Sequence, residues 1–380
     1  MAFCNFLYLF YELNIFLIMN NKKVMVAMSG GVDSSVAAYL LKDAGFEVVG
    51  VTMCLGVKSG AEDGPRCCGE DAIDDAKNVC TKLDISHHIF DFSKEMQLNV
   101  IDKFIKSYLE GQTPNPCIDC NRVLKFGILL NKALSLGFDF LATGHYGEIS
   151  DISGKYLLKK PLDKRKDQTY FLYQINRENL SKILFPLANF RKENVREIAK
   201  KIGLPVADKQ ESQEVCFVVN NNYKDYLEKN VENNSIKPGN ILDLGGRIIG
   251  RHGGIAFYTI GQRKGLKISA PTPLYVIKIN KNTNEIVVGE RKYLGSKILI
   301  AEEINLLSDE LPEHAKAKIR YNHKEAPCKI IKLNECVKVI FDEEQEAITP
   351  GQSVVFYDND IVLGGGVIKN VISDFNHIMV

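Results

Sequence analysis

The sequence predicts an α/β protein: an N-terminal domain on a doubly wound parallel sheet, a small central domain, and a C-terminal β-barrel. Three observations predict it. Between Val24 and Thr143, apolar β-branched runs alternate with segments of helical spacing, the order of a parallel sheet that binds ligands at its strands' carboxyl ends. At Asn220, Asn221 and Asn222 a polar break ends that texture, and Pro238-Gly239, Gly245-Gly246, Gly253-Gly254 and Gly261 then punctuate short runs. From about residue 297, short alternating strands recur, as in a small barrel. The expected divisions are 1–21, an extension outside the fold; 22–219, the parallel-sheet domain; 220–296, a central domain; and 297–375, the barrel.

The elements follow in order. Phe3 to Met19 is largely apolar, but Glu12 interrupts it and no Lys or Arg precedes it. That matches neither a secretory signal nor a membrane span, and Met19 reads as the natural start. Val24 to Met28 reads as a buried strand, Ser34 to Asp43 as a helix with Val36, Ala37, Leu40 and Leu41 on one side, and Val48 to Met53 as a second strand. Helix Asp71 to Leu83, strand Ser86 to Phe92, helices Lys94 to Leu109 and Asn121 to Leu136, and strand Phe138 to Thr143 complete the sheet. The barrel strands are Ala315 to Tyr321, Cys328 to Leu333, Val337 to Phe341, Ser353 to Tyr357 and Ile361 to Ile368.

Composition narrows the class. The chain has 380 residues, 45% hydrophobic and 25% charged, which is the mix of a globular protein with ordinary cores. Lys and Arg number 48 against 47 Asp and Glu, so global charge announces no nucleic acid. Ten cysteines are too few for a disulfide scaffold and suit a reducing, cytoplasmic setting in which thiols do chemistry.

The loop Ala27-Met28-Ser29-Gly30-Gly31-Val32-Asp33-Ser34-Ser35 joins the first strand to the first helix. Its glycines permit close backbone approach, and the free N–H groups at a helix start attract phosphate. Asp33 suits a magnesium ion that neutralises phosphates. No GxxxxGK[ST] is present, so this is not a Walker loop. SGGxDS resembles the PP-loop of the ATP pyrophosphatase class, the adenine nucleotide alpha hydrolase-like fold.

The cysteines form a second constellation. Cys117 and Cys120 lie in Thr113-Pro-Asn-Pro-Cys-Ile-Asp-Cys-Asn-Arg122, where the prolines extend the chain and Asn121 is placed to cap the next helix. Cys120 then stands at a helix N-terminus, which favours thiolate. Cys216 lies in Glu211-Ser-Gln-Glu-Val-Cys-Phe217. Three thiols without an evident fourth ligand suit an iron–sulfur cluster with one open iron, or a relay of persulfide and nucleophile. Cys67-Cys68 sits in a charged, Gly-containing loop and is awkward for one metal site, while Cys54, Cys80, Cys328 and Cys336 read as core.

Taken together, SGGVDSS, TPNPC-x-x-CNR, ATGHY, KDQTYFL, ESQEVCF, GQRKGL and RYNH occur in this order, and the set resembles the bacterial tRNA-specific 2-thiouridylases over residues 22 to 375. The resemblance implies that Cys120 is the nucleophile and Cys216 the persulfide carrier, leaving a disulfide between them. Many members have Asp where this chain has Cys117, so it resembles the CxxC branch, in which Cys117, Cys120 and Cys216 would hold a 4Fe–4S cluster. It also implies that Met53 and the Gly144 backbone line the adenine pocket. Asn115, Pro116, Cys117, Lys166, Asp167 and Gln168 would lie near the target base, and Arg320 and Tyr321 would add a contact from the barrel. Ten Lys or Arg against two Glu between Arg247 and Lys297 supply a surface for phosphates.

The implied reaction is ATP- and Mg2+-dependent thiolation of the wobble uridine in the tRNA anticodon stem-loop. The uracil 2-oxygen is adenylated, and sulfur from a donor protein or inorganic sulfide displaces AMP. No membrane partner is expected. Another ATP pyrophosphatase, such as a different tRNA thiolase or an argininosuccinate synthetase-like ligase, would share SGGxDS but need neither the three cysteines nor the basic block. An RNA-binding protein without catalysis would lack the loop, and a thiol redox protein would not need Asp33.

Overall fold

A computed structural model describes residues 22–57, 70–210, 215–218, 222–232 and 235–372. The N-terminal extension and Cys67-Cys68 lie outside the described residues. The chain forms two compact units, and the first comprises the described residues up to Lys94 with Val123–Thr169 and Glu178–Phe217.

In the first unit, Val24, Met25 and Val26 are at most 1% exposed, so strand β1 (Lys23–Ala27) is covered on both faces. Alternation cannot be seen in such a strand, and its central place follows. Helix α1 (Val32–Asp43) leads to β2 (Glu47–Cys54), α2 (Glu70–Lys82) to β3 (Ser86–Asp91). A long helical stretch α3 (93–109), which belongs to the second unit from Glu95 on, contains a π-helical turn at Gln97–Ile101. A second, α4 (116–135), contains Cys120–Leu129 as a π segment. Strand β4 (Phe140–Thr143), the hairpin β5 (Glu148–Ile152) and β6 (Lys155–Lys159), the short β7 (Ile183–Leu184) and helix α5 (Lys192–Lys201) follow.

The sheet order is β3-β2-β1-β4-β7, all parallel. Val36, Ala37, Leu40 and Leu41 of α1, Ala76, Val79 and Cys80 of α2, and Val195 and Ala199 of α5 close over Val24 and Val26. Each fully buried aliphatic side chain contributes about 1.5–3 kcal/mol, so these i, i+3 and i+4 faces are what dock the helices.

The second unit comprises Glu95–Arg122, Tyr170–Arg177 and the described residues from Val218 on. It holds helix α6 (Tyr223–Asn230) and a four-stranded sheet ordered β10-β11-β8-β9, from β8 (Gly239–Leu242), β9 (Ile248–His252), β10 (Tyr275–Asn280) and β11 (Glu285–Gly289). Ile241, Val276, Ile286 and Val288 form its core with Ile255, Tyr258 and Leu266.

Six antiparallel strands then make the barrel: β12 (Gly295–Leu306), β13 (His314–Lys318), β14 (Ala326–Lys332), β15 (Val337–Glu346), β16 (Ser353–Asp358) and β17 (Ile361–Ile372). Their order is β12-β15-β14-β13-β16-β17, and β17 pairs back onto β12, which closes the ring and leaves no edge among the six. Among the described residues no helix is long and apolar enough to cross a membrane.

Candidate active site

The glycine-rich loop folds as a cradle at the carboxyl end of β1. Gly31 is the N-cap of α1, and the Ser34 and Ser35 hydroxyls both donate to its carbonyl. Ser34 Oγ also accepts from the Ser29 amide at 3.2 Å. Gly30 has φ +67°, and a Cβ there would come within 2.3 Å of the Ala72 carbonyl oxygen, so only glycine serves. Gly144, just past β4, lies so close that a Cβ would stand 2.5 Å from the Ser34 amide nitrogen. Ala27, Met28 and Val32 complete the loop, with Met28 and Val32 buried. Met53 is half-buried near the carboxyl end of β2. The structure thus brings the sequence-predicted loop residues and Gly144 together at one end of the sheet.

Asp33 lies in the first turn of α1 and is not alone. Lys192 Nζ reaches its two carboxylate oxygens at 2.7 and 2.8 Å, and the Tyr146 hydroxyl donates to Oδ1 at 3.0 Å. Lys192 is 6% exposed, at the start of α5. Tyr146 is placed by Gln168, whose Oε1 accepts from the Tyr146 amide at 2.8 Å while its own amide donates to the Tyr146 carbonyl at 3.0 Å. Asp167 is buried and accepts from the Thr169 amide and hydroxyl. Asp167 and Gln168 thus shape the turn that holds Tyr146 on Asp33. Lys166 ends the short turn Lys164–Lys166 before them.

His145 donates to or accepts from Thr143 Oγ1 at 2.7 Å and packs against Phe126 and Phe185. Burial first, then the nearby Lys125 ammonium, hold its imidazole neutral, well below the ordinary value of 6.5.

The CxxC segment sits differently from the expectation. The helix starts at Pro116 with Asn115 as N-cap, so Cys117 is in its first turn and Cys120 is a turn further in, opening the π segment. Asn121 does not cap: it is buried and its Nδ2 donates to the Phe171 carbonyl at 3.0 Å. The two prolines suggest an extended approach, but Pro is well tolerated at the first helical position, where its missing N–H is no loss, and the helix starts at Pro116. π segments are rare and often accompany functional sites.

The approach to this helix is tied to the rest of its unit. The Thr113 amide donates to the Pro350 carbonyl at 2.9 Å, Gln352 Nε2 donates to the Thr113 carbonyl at 2.8 Å, and the Thr113 hydroxyl meets Thr259 Oγ1 at 3.1 Å. Asp119, 6% exposed, is neutralised by Lys103 at 2.8 Å and Arg122 at 3.4 Å. Cys117 is exposed and Cys120 half-buried.

Cys216 is exposed, between buried Phe217 and the described end of its segment at Val215. Burial pushes the Cys80 thiol up to about 11 and the Cys328 thiol up to about 12, in line with inert core residues. Cys54 is buried and disulfide-bonded, and Cys336 is half-buried.

Arg320 lies after β13 and is partly enclosed. Its Nη2 donates to the Ala347 carbonyl at 2.8 Å, the Ile260 carbonyl at 3.2 Å and the Thr349 hydroxyl. Tyr321 packs on Phe171 with ring centroids 4.5 Å apart, and Lys318 Nζ stands 5.3 Å over its ring. Asn121 thereby links the CxxC helix, through Phe171, to Tyr321. In the loop after Gly261, Leu266 is buried as an anchor while Arg263, Lys264 and Lys267 are exposed.

Comparison with known proteins decides the family. A profile described as tRNA methyl transferase HUP domain matches residues 22–220, one described as the PRC-barrel domain of the same group matches 224–290, and an aminomethyltransferase beta-barrel domain matches 296–368. The tRNA-specific 2-thiouridylase MnmA 1 of Syntrophus aciditrophicus is 50% identical over 351 residues, 92% of this chain and 94% of its own. MnmA of Acetivibrio thermocellus is 50% identical over 361 residues, 92% of this chain and all of its own. The chain belongs to the tRNA-specific 2-thiouridylase family.

Among solved structures, a 4-thiouridine synthetase in complex with RNA and bound ATP is 19% identical, with TM-score 0.34 over 55% of this chain and 50% of that one. Set in the thiouridylase family, two lysines stand out that sequence reasoning passed over: Lys192 on Asp33, and Lys209, whose Nζ donates to the Gly30 carbonyl at 3.1 Å and pairs with Asp75. Lys192 carried a signal, since a Lys in the first turn of a helix opposes the macrodipole and asks for a local anion.

Two inorganic groups were expected at thiouridylase sites. A magnesium ion is commonly held by one or two carboxylates together with substrate phosphates, and the partly exposed Asp33 carboxylate beside the phosphate cradle suits that mode. A 4Fe–4S cluster needs its thiolates to converge, and among the described residues no group of three or more His, Cys, Asp or Glu does so.

Proposed function

We propose that the chain is an ATP-dependent tRNA sulfurtransferase that converts the wobble uridine of the anticodon stem-loop to 2-thiouridine. The observation that carries this reading is the phosphate cradle with Asp33 at the carboxyl end of β1, in a chain related over 92% of its length to proteins named for this activity.

The chemistry follows from the poor leaving ability of a carbonyl oxygen. The uracil 2-oxygen attacks the α-phosphorus of ATP, the bond to the β-phosphate breaks, and pyrophosphate leaves. Amide groups at the start of α1 and the Ser29, Ser34 and Ser35 region bind the departing phosphates. Magnesium, when bound at Asp33, supplies charge neutralisation for them. The terminal sulfur of a persulfide on Cys216 then adds to carbon 2 and AMP leaves with the former carbonyl oxygen. Cys120 thiolate attacks Cys216 Sγ, the sulfur–sulfur bond to the base breaks, and a thiocarbonyl and a Cys120–Cys216 disulfide result. An external thiol reductant reopens that disulfide.

In this reading Ala27 to Ser34, Met53 and Gly144 serve ATP; Asn115, Pro116, Cys117, Lys166, Asp167, Gln168, Arg320 and Tyr321 serve tRNA, with residues 220–296 as its basic surface. Residues 22–219 are the catalytic domain and 297–375 the barrel. In the cytoplasm a donor protein passes the outer sulfur of its own persulfide to Cys216, or inorganic sulfide attacks Cys216 Sγ of the Cys120–Cys216 disulfide, that sulfur–sulfur bond breaks, and Cys120 leaves as thiolate. The family's cluster alternative would make Cys117, Cys120 and Cys216 iron ligands and is separated by the Cys117 variant below.

The test is pyrophosphate release from ATP as a function of added tRNA, with sulfur counted in the tRNA afterwards. Release that requires tRNA, with one sulfur retained per wobble uridine, is expected. ATP turnover indifferent to tRNA would overturn the reading.

A further inference from the structure

Helix α6 places Lys224 in its first turn, where the macrodipole disfavours a cation. Lys192 stands in the first turn of α5 and has Asp33. Lys224 has no such anion: among the described residues no carboxylate comes within 4.0 Å of its Nζ, and no acceptor takes a hydrogen bond from it. Instead Nζ stands 5.3 Å from the ring centroid of Tyr258 and 5.9 Å from that of Phe257. Those ring faces hold an ammonium in place. Burial first, then the charge of Lys267, push its pKa below the ordinary 10.5, with Glu228 opposing.

The loop that faces Lys224 is pinned. The Gly261 amide donates to the Val276 carbonyl at 2.8 Å and the Val276 amide to the Gln262 carbonyl at 3.0 Å, while Leu266 is buried in the core of the four-stranded sheet. Gln262 Oε1 accepts from the Thr259 amide at 3.1 Å, and its Nε2 donates to the Lys264 carbonyl at 3.0 Å. Between these pins Gly265 runs beside the ammonium: a Cβ there would stand 3.8 Å from Lys224 Nζ. Lys267 has φ +55°, a left-handed backbone that Gly or Asn adopts more readily than Lys.

We propose that Lys224 and Lys267 form a fixed site for one backbone phosphate of the tRNA. The inference rests on the proposed thiolation and names where that substrate is held. Two cations that repel each other at rest are both satisfied by one phosphate between them, through charge-assisted hydrogen bonds. Lys224 is already held on two rings, so little side-chain freedom is lost when the phosphate arrives. Arg263 and Lys264 are exposed and attract RNA from a distance without fixing it. Phosphate contacts set the register of a protein on nucleic acid, and this pair sets it for the unit that carries the sheet of β8 to β11. The unfavoured backbone at Lys267 is kept for its side chain.

The experiment is binding of an unmodified tRNA transcript with a wobble uridine to the full chain, by fluorescence anisotropy at several salt concentrations, with ATP binding measured separately by equilibrium dialysis. Lys224→Met, which keeps an apolar stem on the rings, is expected to lower tRNA affinity about tenfold and the slope of log affinity against log salt by about one, with ATP affinity kept. Lys224→Arg keeps most of the affinity. Lys267→Gly relieves the backbone, melts no lower than the wild type, and loses tRNA affinity to a like degree. The double variant loses less than the product of the two single losses, because both lysines serve one phosphate. Wild-type tRNA affinity in Lys224→Met overturns the proposal, as does a fully multiplicative loss in the double variant or a loss of ATP affinity in place of tRNA affinity. Should Lys224→Met fail to fold, Lys267→Gly decides: wild-type tRNA affinity there overturns it. Failure of the underlying thiolation reading shows elsewhere, as pyrophosphate release indifferent to tRNA.

Discussion

At Asp33 one carboxylate has two duties, and they separate by measurement. Asp33→Asn removes the anion that neutralises the 6%-exposed Lys192. Breaking a buried pair from one side costs about 3 kcal/mol, less here because Asp33 is partly exposed. The variant is expected to lose tRNA-dependent pyrophosphate release, to keep tRNA affinity, and to melt several degrees lower without any nucleotide. Unchanged melting would remove the ion pair from the account, and near wild-type thiolation would remove the metal role. Cys117 discriminates between the sulfur routes. Under the persulfide route, anaerobic Cys117→Ala with ATP and a persulfide-carrying donor protein retains a substantial part of wild-type activity without bound iron, while Cys120→Ala and Cys216→Ala are dead. Equal loss in all three, with iron lost from the protein, would favour the cluster. The histidines add a pH dependence. Burial lowers the folded pKa of His145, His87 and His252 from 6.5, so the unfolded chain takes up protons first as pH falls. Their stabilising contribution is complete above about 6.5 and is lost progressively below it. Thermal melting at pH 7.5 and 5.5 is expected to differ more in the wild type than in His145→Gln.

Elements were legible in the sequence where one face or both faces are covered by the chain's own apolar residues. Strand β1 and helix α1 stood out because Val24 to Val26 are buried on both sides and Val36, Ala37, Leu40 and Leu41 repeat at helical spacing. The loop between them was readable because its residue types are dictated by backbone approach. Gly144→Ala tests that directly, since a Cβ 2.5 Å from the Ser34 amide must push the end of β4 away from the start of α1. An ATP affinity loss of tenfold or more is expected by equilibrium dialysis, with tRNA affinity kept; unaltered ATP binding would mean that the close approach has no part in the cradle. The start of α4 was misjudged because Pro before Cys117 signals both an extended approach and a first helical position, and Asn115 rather than Asn121 turned out to be the cap. Strand β12 and the sheet of β8 to β11 were invisible as strands, their runs being short, glycine-broken or half-polar. The partners of Lys192 and Lys209 were beyond pattern reading, since Asp33 and Gly30 are far away in sequence, although the place of Lys192 in a helix's first turn asked for some anion.

For the molecule as a whole, near-neutral charge hides a local surface. Leu266 anchors a loop from which Arg263, Lys264 and Lys267 project, and the exposed side chains are free to meet phosphates. Reversal of Arg263 and Lys264 to Glu is expected to weaken binding of all cognate tRNAs alike and to lower the slope of log affinity against log salt by about two. A wild-type affinity that ignores salt would remove this loop from the RNA surface. The closed barrel carries a different consequence, for biosynthesis. Strand β12 is joined on one side by β15 and on the other by β17, the last of the six to be made. On a translating ribosome the ring cannot shut until β17 has cleared the exit tunnel, so one side of β12 waits, unpaired, through the synthesis of the four strands between. A nascent chain stalled before Ile361 should therefore be a client for holdase chaperones, and a message truncated there should yield protein degraded in the cell even though every residue of the phosphate loop has been translated.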